Sequence, residues 1–258
     1  MEVAARTPGV GYNRLTTVNK LALLLLLMLP ACALAQGDKK VPEDYTYFDD
    51  NLSPDGRYVV VVPKLDDERR SVVDDNRLVD LQTGRTLAVL KAGHVAASRS
   101  RYGDIPSVRW SSDNSIMAWY VEGKWSNNAL VVLKHDGKRV FWQSNVLKIA
   151  QEAILARTKE AAPEKYARVR KENAAMAGGT DDPKSSYPHG FSIQVDVTDP
   201  LEFPLHIKAE LTSEAKPGTD LYNWLTSQLT GTIDAEGKLA VTSFGLGLSK
   251  PSHFGGDY

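Results

Sequence analysis

The clearest hydrophobic pattern in this chain is a strict alternation of apolar and polar residues towards its C-terminus. Phe191, Ile193, Val195 and Val197 alternate with polar residues, and the same period recurs from Leu205 onwards. A period of two places the apolar side chains on one face of a β-strand. Strands are therefore expected at 191–197, 205–211, 229–233 and 239–246. Together they predict an antiparallel sheet within residues 189–250, with one face packed against the core and one face exposed to solvent.

Short β-rich runs separated by turn residues fill the region 45–143. Two copies of one unit are visible there, at 52–90 and 108–142, and Ser53 of the first aligns with Ser111 of the second. In the first copy, Pro54-Asp-Gly56 combines a fixed φ, an Asx-type side chain and a residue that tolerates positive φ, which is typical of a tight turn. The second copy keeps the serine and the aspartate but lacks the proline and the glycine. Two antiparallel β units are expected.

The first unit also carries a family resemblance. Its turn, Ser53-Pro-Asp-Gly-Arg57, precedes an aliphatic strand and an Asp-x-x-Thr-Gly hairpin at 80–84. This order resembles the blade repeat of TolB-type and WD-type β-propellers over residues 45–142. The resemblance implies protein–protein contacts in the periplasm, by analogy of fold alone. Since propellers close with about four blades or more, two blades predict a partial arrangement of stacked sheets.

A helical segment separates the two β regions. Apolar residues recur at helical spacing from Val146 to Ile154, and Pro163 interrupts the pattern and predicts a second helix from Glu164. Residues 144–177 form this segment, and the Gly- and Ser-rich stretch 178–188 is a predicted linker. The fold class expected is therefore mainly β with a helical insertion: two propeller-blade-like antiparallel units, a helical segment and a C-terminal antiparallel sheet.

The N-terminus has the order of a secretory signal peptide. Basic residues precede an unbroken apolar run at 21–29, which is shorter than the ~20 residues that a spanning helix needs. The Ala-x-Ala site Ala33-Leu-Ala35 predicts cleavage after Ala35, with residues 1–35 as the leader and 36–44 as a flexible tether. The expected location is periplasmic or extracellular.

A second processing route competes with cleavage after Ala35. In this alternative, Leu29-Pro-Ala-Cys32 acts as a lipobox, and Cys32 is lipidated and anchors the chain in the cell envelope. Pro30 stands where a small or aliphatic residue is usual, which disfavours this route. Cleavage after Ala35 is therefore the favoured prediction.

The charge and the cysteine content of the chain limit the classes of partner and the covalent links that are expected. The leader carries a net charge of +2, so its removal changes the formal charge of the chain from −1 to −3. A weakly acidic chain is not expected to bind nucleic acid. Contact with the membrane is expected only if Cys32 is lipidated. Cleavage after Ala35 would also remove the single cysteine, so no disulfide is expected.

Recognised catalytic and metal-binding patterns are not found in the sequence. A Gly-x-Ser-x-Gly nucleophile elbow is missing, and the five histidines show no metal-ligand spacing. The stretch 51–56 partly resembles a calcium loop, but Val62 occupies the position of the required glutamate. No catalytic residue, metal or cofactor is therefore predicted, and a non-enzymatic role is favoured.

Aromatic residues crowd the second β unit, and most are expected in the core of its sheet. They are Trp110, Trp119, Tyr120, Trp125, Phe141 and Trp142. Trp125 differs because it lies in a polar turn, where Lys124 and Asn127 accompany it as candidate binding residues.

The leading hypothesis is an exported, non-catalytic binding or scaffolding module whose partners are envelope proteins. The alternative is a protein that binds or hydrolyses cell-wall glycan through the Trp125 region; a third hypothesis is a ligand carrier built on the C-terminal sheet.

Overall fold

The computed structural model describes residues 39–64, 75–90, 105–122, 127–176, 190–213 and 225–247. These residues form three four-stranded antiparallel sheets and two α-helices within one compact unit, Lys40–Tyr258. The prediction of a mainly β fold with a helical insertion is confirmed. No helix within the described ranges is long and apolar enough to span a membrane.

The leader predicted at residues 1–35 lies outside the described residues. Its cleavage-site residue Ala35 and the alternative lipidation site Cys32 are both part of it. The choice between cleavage after Ala35 and lipidation of Cys32 therefore stays a prediction. Lys124 and Trp125 lie outside the described ranges as well.

The first sheet has its strands in sequence order. They are β1 (Tyr45–Thr46), β2 (Tyr58–Pro63), β3 (Asn76–Asp80) and β4 (Arg85–Leu90). Every residue of β2 is buried, because both faces of this strand are covered. Val60 and Val62 face the second sheet, whereas Val59 and Val61 pack with residues near the start of the described chain.

The second sheet repeats this order. Its strands are β5 (Ile105–Trp110), β6 (Ile116–Glu122), β7 (Asn127–His135) and β8 (Val140–Asn145). The central strand β6 is buried on both faces: Met117 and Trp119 pack towards the first sheet, whereas Ala118 and Tyr120 belong to the core shared with the helices and the third sheet. The second sheet is therefore the middle layer of the fold.

The two aligned serines form the same turn. Ser53 Oγ accepts from Tyr58 N at 2.8 Å and donates to the side chain of Asp55, and Ser111 Oγ accepts from Ile116 N at 2.8 Å and donates to Asp113. Gly56, with φ of +69°, has its counterpart in Asn114, with φ of 60°. Asparagine is among the few non-glycine residues that tolerate this conformation. The second turn therefore keeps its geometry without the proline and the glycine.

One histidine is buried between the first and second sheets. His135 lies edge-on to the ring of Tyr58, with centroids 4.7 Å apart, and its Nδ1 accepts a hydrogen bond from Gly137 N at 3.1 Å. Its Nε2 is buried and has no hydrogen-bond partner among the described residues. Burial lowers the pKa of His135, and the nearby Asp136 and Asp55 only partly oppose this effect. A neutral imidazole is thus part of this interface.

The helices follow the second sheet directly. Helix α1 (Val146–Ala161) begins after Asn145, whose side chain accepts from Lys148 N at 3.0 Å and caps the helix. Helix α2 (Pro163–Met176) begins at the proline itself, one residue before the predicted start. Helix α1 contacts β7 of the second sheet and all four strands of the third sheet.

The third sheet has the alternation that the sequence predicts. Its strands are β9 (Phe191–Val197), β10 (Leu205–Ser213), β11 (Thr226–Ile233) and β12 (Leu239–Leu246), in the spatial order β12-β11-β10-β9. Apolar residues such as Ile193, Ile207 and Leu229 face the helices and are fully buried or nearly so. Strands β9 and β12 are the edges of this sheet.

Candidate functional site

The edge strand β9 is held by three side chains of the second sheet. Asn127 Oδ1 accepts a hydrogen bond from Val195 N at 2.6 Å, and Tyr120 Oη accepts one from Val197 N at 3.2 Å. Arg109 Nη1 donates to the carbonyl oxygen of Val197. These side chains replace the hydrogen bonds that a neighbouring strand would otherwise make to β9.

Two carboxylates, Asp196 on β9 and Asp199 in the connection that follows β9, complete the polar network around Arg109. Arg109 Nη1 lies 3.0 Å from Asp196 Oδ1, and Nη2 lies 2.5 Å from Asp199 Oδ1. Tyr120 Oη donates to the same Asp196 oxygen at 3.0 Å. The guanidinium is therefore shared between two carboxylates, a phenol and a main-chain carbonyl, which fixes its orientation.

This network and the burial of the ring affect the pKa of the Tyr120 hydroxyl. Burial raises the pKa of its hydroxyl well above the ordinary range, and the negative charge of Asp196 raises it further. The phenol consequently remains a hydrogen-bond donor at every physiological pH. It can donate to Asp196 and accept from Val197 N at the same time.

A cleft of about 360 Å³, lined mostly by polar and charged residues, opens beside this contact between the second and third sheets. The second sheet contributes one wall, made by Ser107, Arg109, Tyr120, Glu122 and Asn127. The third sheet contributes the other wall.

That other wall comes from strands β9 and β10. It consists of Gln194, Val195, Asp196, Lys208 and Glu210. Lys208 Nζ forms an ion pair with Glu210 Oε1 at 2.6 Å, and the Glu210 side chain is only 15% exposed. Both cationic side chains of the cleft, Arg109 and Lys208, thus form ion pairs with carboxylates.

Some polar groups of the cleft are available to a ligand. Over the described ranges, the side chains of Ser107, Glu122 and Gln194 make no hydrogen bond or ion pair. Together they offer a hydroxyl, a carboxylate and an amide. Groups of these types exchange hydrogen bonds with a polar ligand and add one negative charge.

The predicted binding residues have different outcomes. Asn127 lines the cleft but is only 9% exposed, and its Oδ1 is committed to Val195 N. It therefore orients a cleft wall. Lys124 and Trp125 are outside the described residues, in the connection 123–126, whose two neighbours in the chain, Glu122 and Asn127, both line the cleft.

Sequence reasoning missed the residues that organise the cleft. Arg109 and Asp196 are 87 positions apart, and Tyr120 and Asp196 are 76 apart, so no local pattern relates them. The C-terminal alternation gave one useful signal: its polar positions, which include Gln194, Asp196 and Lys208, were expected on the face of the sheet away from the core. Which other element meets this face could not be read from the alternation.

No candidate metal site is found among the described residues, because no group of three or more His, Cys, Asp or Glu side chains there is arranged to hold an ion.

No protein-family model, curated protein sequence or solved structure matches this chain.

Proposed function

We propose that this protein is a non-catalytic binding module exported into a bacterial cell envelope, and that the cleft between the second and third sheets receives a polar group of an envelope protein. The cleft carries the proposal, because it combines fixed walls with the available side chains of Ser107, Glu122 and Gln194. The export leader expected at residues 1–35 supports the location.

The state of the charged groups favours binding over catalysis. Arg109 is paired with Asp196 and Asp199, and Lys208 is paired with Glu210. Ion pairs of this kind hold the walls in place and leave few charged groups to act on a substrate. Glu122 is the lining carboxylate whose side chain has no partner in the described part of the chain.

The arrangement of the first two sheets supports a protein partner. Each is a four-stranded antiparallel sheet with its strands in sequence order, as in a propeller blade. The resemblance to TolB-type blades extends this to envelope protein contacts by analogy of fold.

The proposal is tested by placing a photo-crosslinking amino acid at Gln194 and expressing the full chain in its native cells. The matched control places the same group at Glu152, an exposed residue of α1. We expect one dominant protein adduct from the cleft position and none from the control. Equal labelling at both positions, or no adduct at either, would overturn the cleft as the binding site.

A second candidate, glycan binding or hydrolysis, is favoured by one observation: Glu122 and Asn127, which bound the connection containing Lys124 and Trp125, both line the cleft. Glycan binding predicts that Trp125→Ala abolishes retention on cell-wall polysaccharide. Phe141→Ala is the matched control, because Phe141 is an exposed aromatic residue on β8. Hydrolysis predicts in addition that Glu122→Gln retains binding but no longer releases sugar; unchanged retention of the Trp125 variant removes both ideas.

A further inference from the structure

The charges that line the cleft do not balance. Arg109 and Lys208 are its two cationic side chains, and both form ion pairs with carboxylates. The carboxylates that line the same cleft are Glu122, Asp196 and Glu210. The lining residues therefore carry one more negative than positive charge, and Asp199 adds another beside Arg109.

The carboxylate left over is Glu122, at the end of β6. Its side chain is exposed and makes no ion pair or hydrogen bond among the described residues. Glu122 lies directly opposite Asn127 in the ladder between β6 and β7. An ionised carboxylate can only accept hydrogen bonds. The group that complements it best is therefore one that brings a positive charge and hydrogen-bond donors.

Asn127 supplies a second open group, which is a donor. The Oδ1 atom of this residue accepts from Val195 N, and a main-chain N–H can only donate, so the orientation of the amide is fixed and Nδ2 is its other end. The residue is only 9% exposed, yet Nδ2 makes no hydrogen bond among the described residues and stays accessible. A largely buried amide with an open donor is completed by an acceptor such as a carbonyl oxygen.

The remaining open groups accept either kind of partner. Ser107 lies opposite Tyr120 on the neighbouring strand β5, and Gln194 lies opposite Glu210 on the other wall. A hydroxyl and an amide can each donate and accept hydrogen bonds. The specific demands of the cleft thus come from Glu122 and Asn127, which ask for a cation and a carbonyl oxygen side by side.

We infer that the cleft binds a basic residue of the partner protein. Its ammonium or guanidinium group lies next to Glu122, and its main-chain carbonyl accepts from Asn127 Nδ2. This inference rests on the proposed function, because it names the group that the envelope protein inserts. Arginine is also among the residues that contribute most to protein interfaces.

The same groups disfavour other occupants. An anionic group would find both cations of the cleft, Arg109 and Lys208, already paired with carboxylates. A metal ion would need several ligands, and no three acidic, His or Cys side chains in the described part of the chain are arranged to supply them. A neutral group would leave the charge of Glu122 without a partner.

The first test titrates N-acetyl-arginine N-methylamide into the isotope-labelled chain recovered from its native cells. Nuclear magnetic resonance follows the side-chain amide signals of Asn127 and Gln194, which report binding in the cleft directly. The blocked citrulline analogue is the matched probe, because it keeps the length and the carbonyl groups but has no charge. We expect both signals to shift with the arginine probe, and the citrulline probe to bind about fivefold more weakly or worse. Equal binding of the two probes, or no shift with the arginine probe, would overturn the inference.

The Glu122→Gln variant should lose this preference, because glutamine keeps the size of the side chain without its charge. Glu236→Gln is the matched control, since Glu236 is exposed in the turn between β11 and β12 and does not line the cleft. We expect equal binding of the arginine and citrulline probes in Glu122→Gln and an unchanged preference in the control. A preference that survives in Glu122→Gln would assign the selectivity to other groups and contradict the inference.

Lys124 needs a variant of its own, because it is two positions from Glu122 in the sequence and lies outside the described residues. The affinity of Lys124→Ala for the arginine probe should equal that of the unmodified chain. Binding that occurs only in Lys124→Ala would show that the chain's own lysine neutralises Glu122, and this result would overturn the inference.

Crosslinking from Gln194 separates this inference from the proposed function on which it rests. Mass spectrometry of the adduct identifies the partner segment that enters the cleft, and we expect a lysine or arginine next to the crosslinked residue. A segment without a basic residue would overturn the inference and leave binding at the cleft intact. Failure to form any adduct would instead overturn the proposed function, and the inference with it.

Discussion

The phenolic oxygen of Tyr120 accepts a hydrogen bond from the main-chain N–H of Val197 at 3.2 Å, and this contact ties the middle sheet to the edge of the third sheet. Tyr120 belongs to the apolar core through its ring, while its hydroxyl belongs to the wall of the cleft. The stability of the fold and the shape of the candidate site are therefore coupled through one side chain.

The Tyr120→Phe variant should destabilise the protein by about 1–3 kcal/mol, because it leaves Val197 N and part of the Asp196 network without a partner in a buried place. Denaturant unfolding measures the loss. Tyr58→Phe is the matched control, since the Tyr58 ring is also buried but its hydroxyl makes no hydrogen bond among the described residues. An equal loss in both variants would show that the hydroxyl network does not hold β9.

His135 should make stability depend on pH in the mildly acidic range. Burial lowers its pKa in the folded state, so the unfolded chain binds more protons as the pH falls. The stabilising effect of the neutral ring is complete above the unfolded pKa of about 6.5 and is lost as the pH drops towards the lowered folded value. Unfolding free energies measured between about pH 7.5 and pH 5 should fall.

The His135→Phe variant should be less stable at neutral pH, because Gly137 N loses its acceptor, yet its stability should change less over the same pH range. His206→Gln, on the exposed face of β10, is the control. A slope that persists in the His135 variant would assign the pH dependence to other groups.

Asn114 should respond differently to two small substitutions. Its φ of 60° suits glycine, as the equivalent Gly56 illustrates, but strains alanine. Asn114→Gly should therefore be close to neutral, whereas Asn114→Ala should cost about 1–2 kcal/mol. Thermal or denaturant unfolding of the pair gives the comparison, and equal stability of the two variants would contradict the role of backbone conformation in this turn.

Processing of the leader can be decided by the intact mass of the chain recovered from its native cells. We expect cleavage after Ala35 and a mature protein that begins at Gln36. The Cys32→Ser variant should then be processed and located as the unmodified chain. An acylated Cys32 at the N-terminus, with recovery in the membrane fraction that Cys32→Ser abolishes, would establish the lipid-anchored alternative.

Much of the fold was predictable because it is encoded by local patterns. The period of two from Phe191 onwards specifies strands with one apolar face, and it appears unchanged in the buried and exposed positions of β9 and β10. The aligned Ser53 and Ser111 specify equivalent turns, since each needs only residues within five positions to make its hydrogen bonds.

Only some residues of the candidate site could be predicted from the sequence. The sequence indicated Asn127 through its place in a polar turn, and the alternation indicated which residues of β9 and β10 face solvent. Neither pattern specified that Asn127 and Tyr120 bind the β9 edge, across 68 and 77 positions of sequence. Contacts at such separations depend on how sheets stack, and stacking is set by the shapes of whole faces.

By itself, the sequence determined the β-rich class, the repeated turn and the two-faced strands of the third sheet, because each follows from residues close together in the chain. The export leader stays a prediction. Only the tertiary structure decided that the second sheet is the middle layer, that the β9 edge is capped by Arg109, Tyr120 and Asn127, and that a cleft lined by polar residues lies between the second and third sheets. The physical reason is that an unpaired strand edge must find hydrogen-bond partners wherever packing brings them.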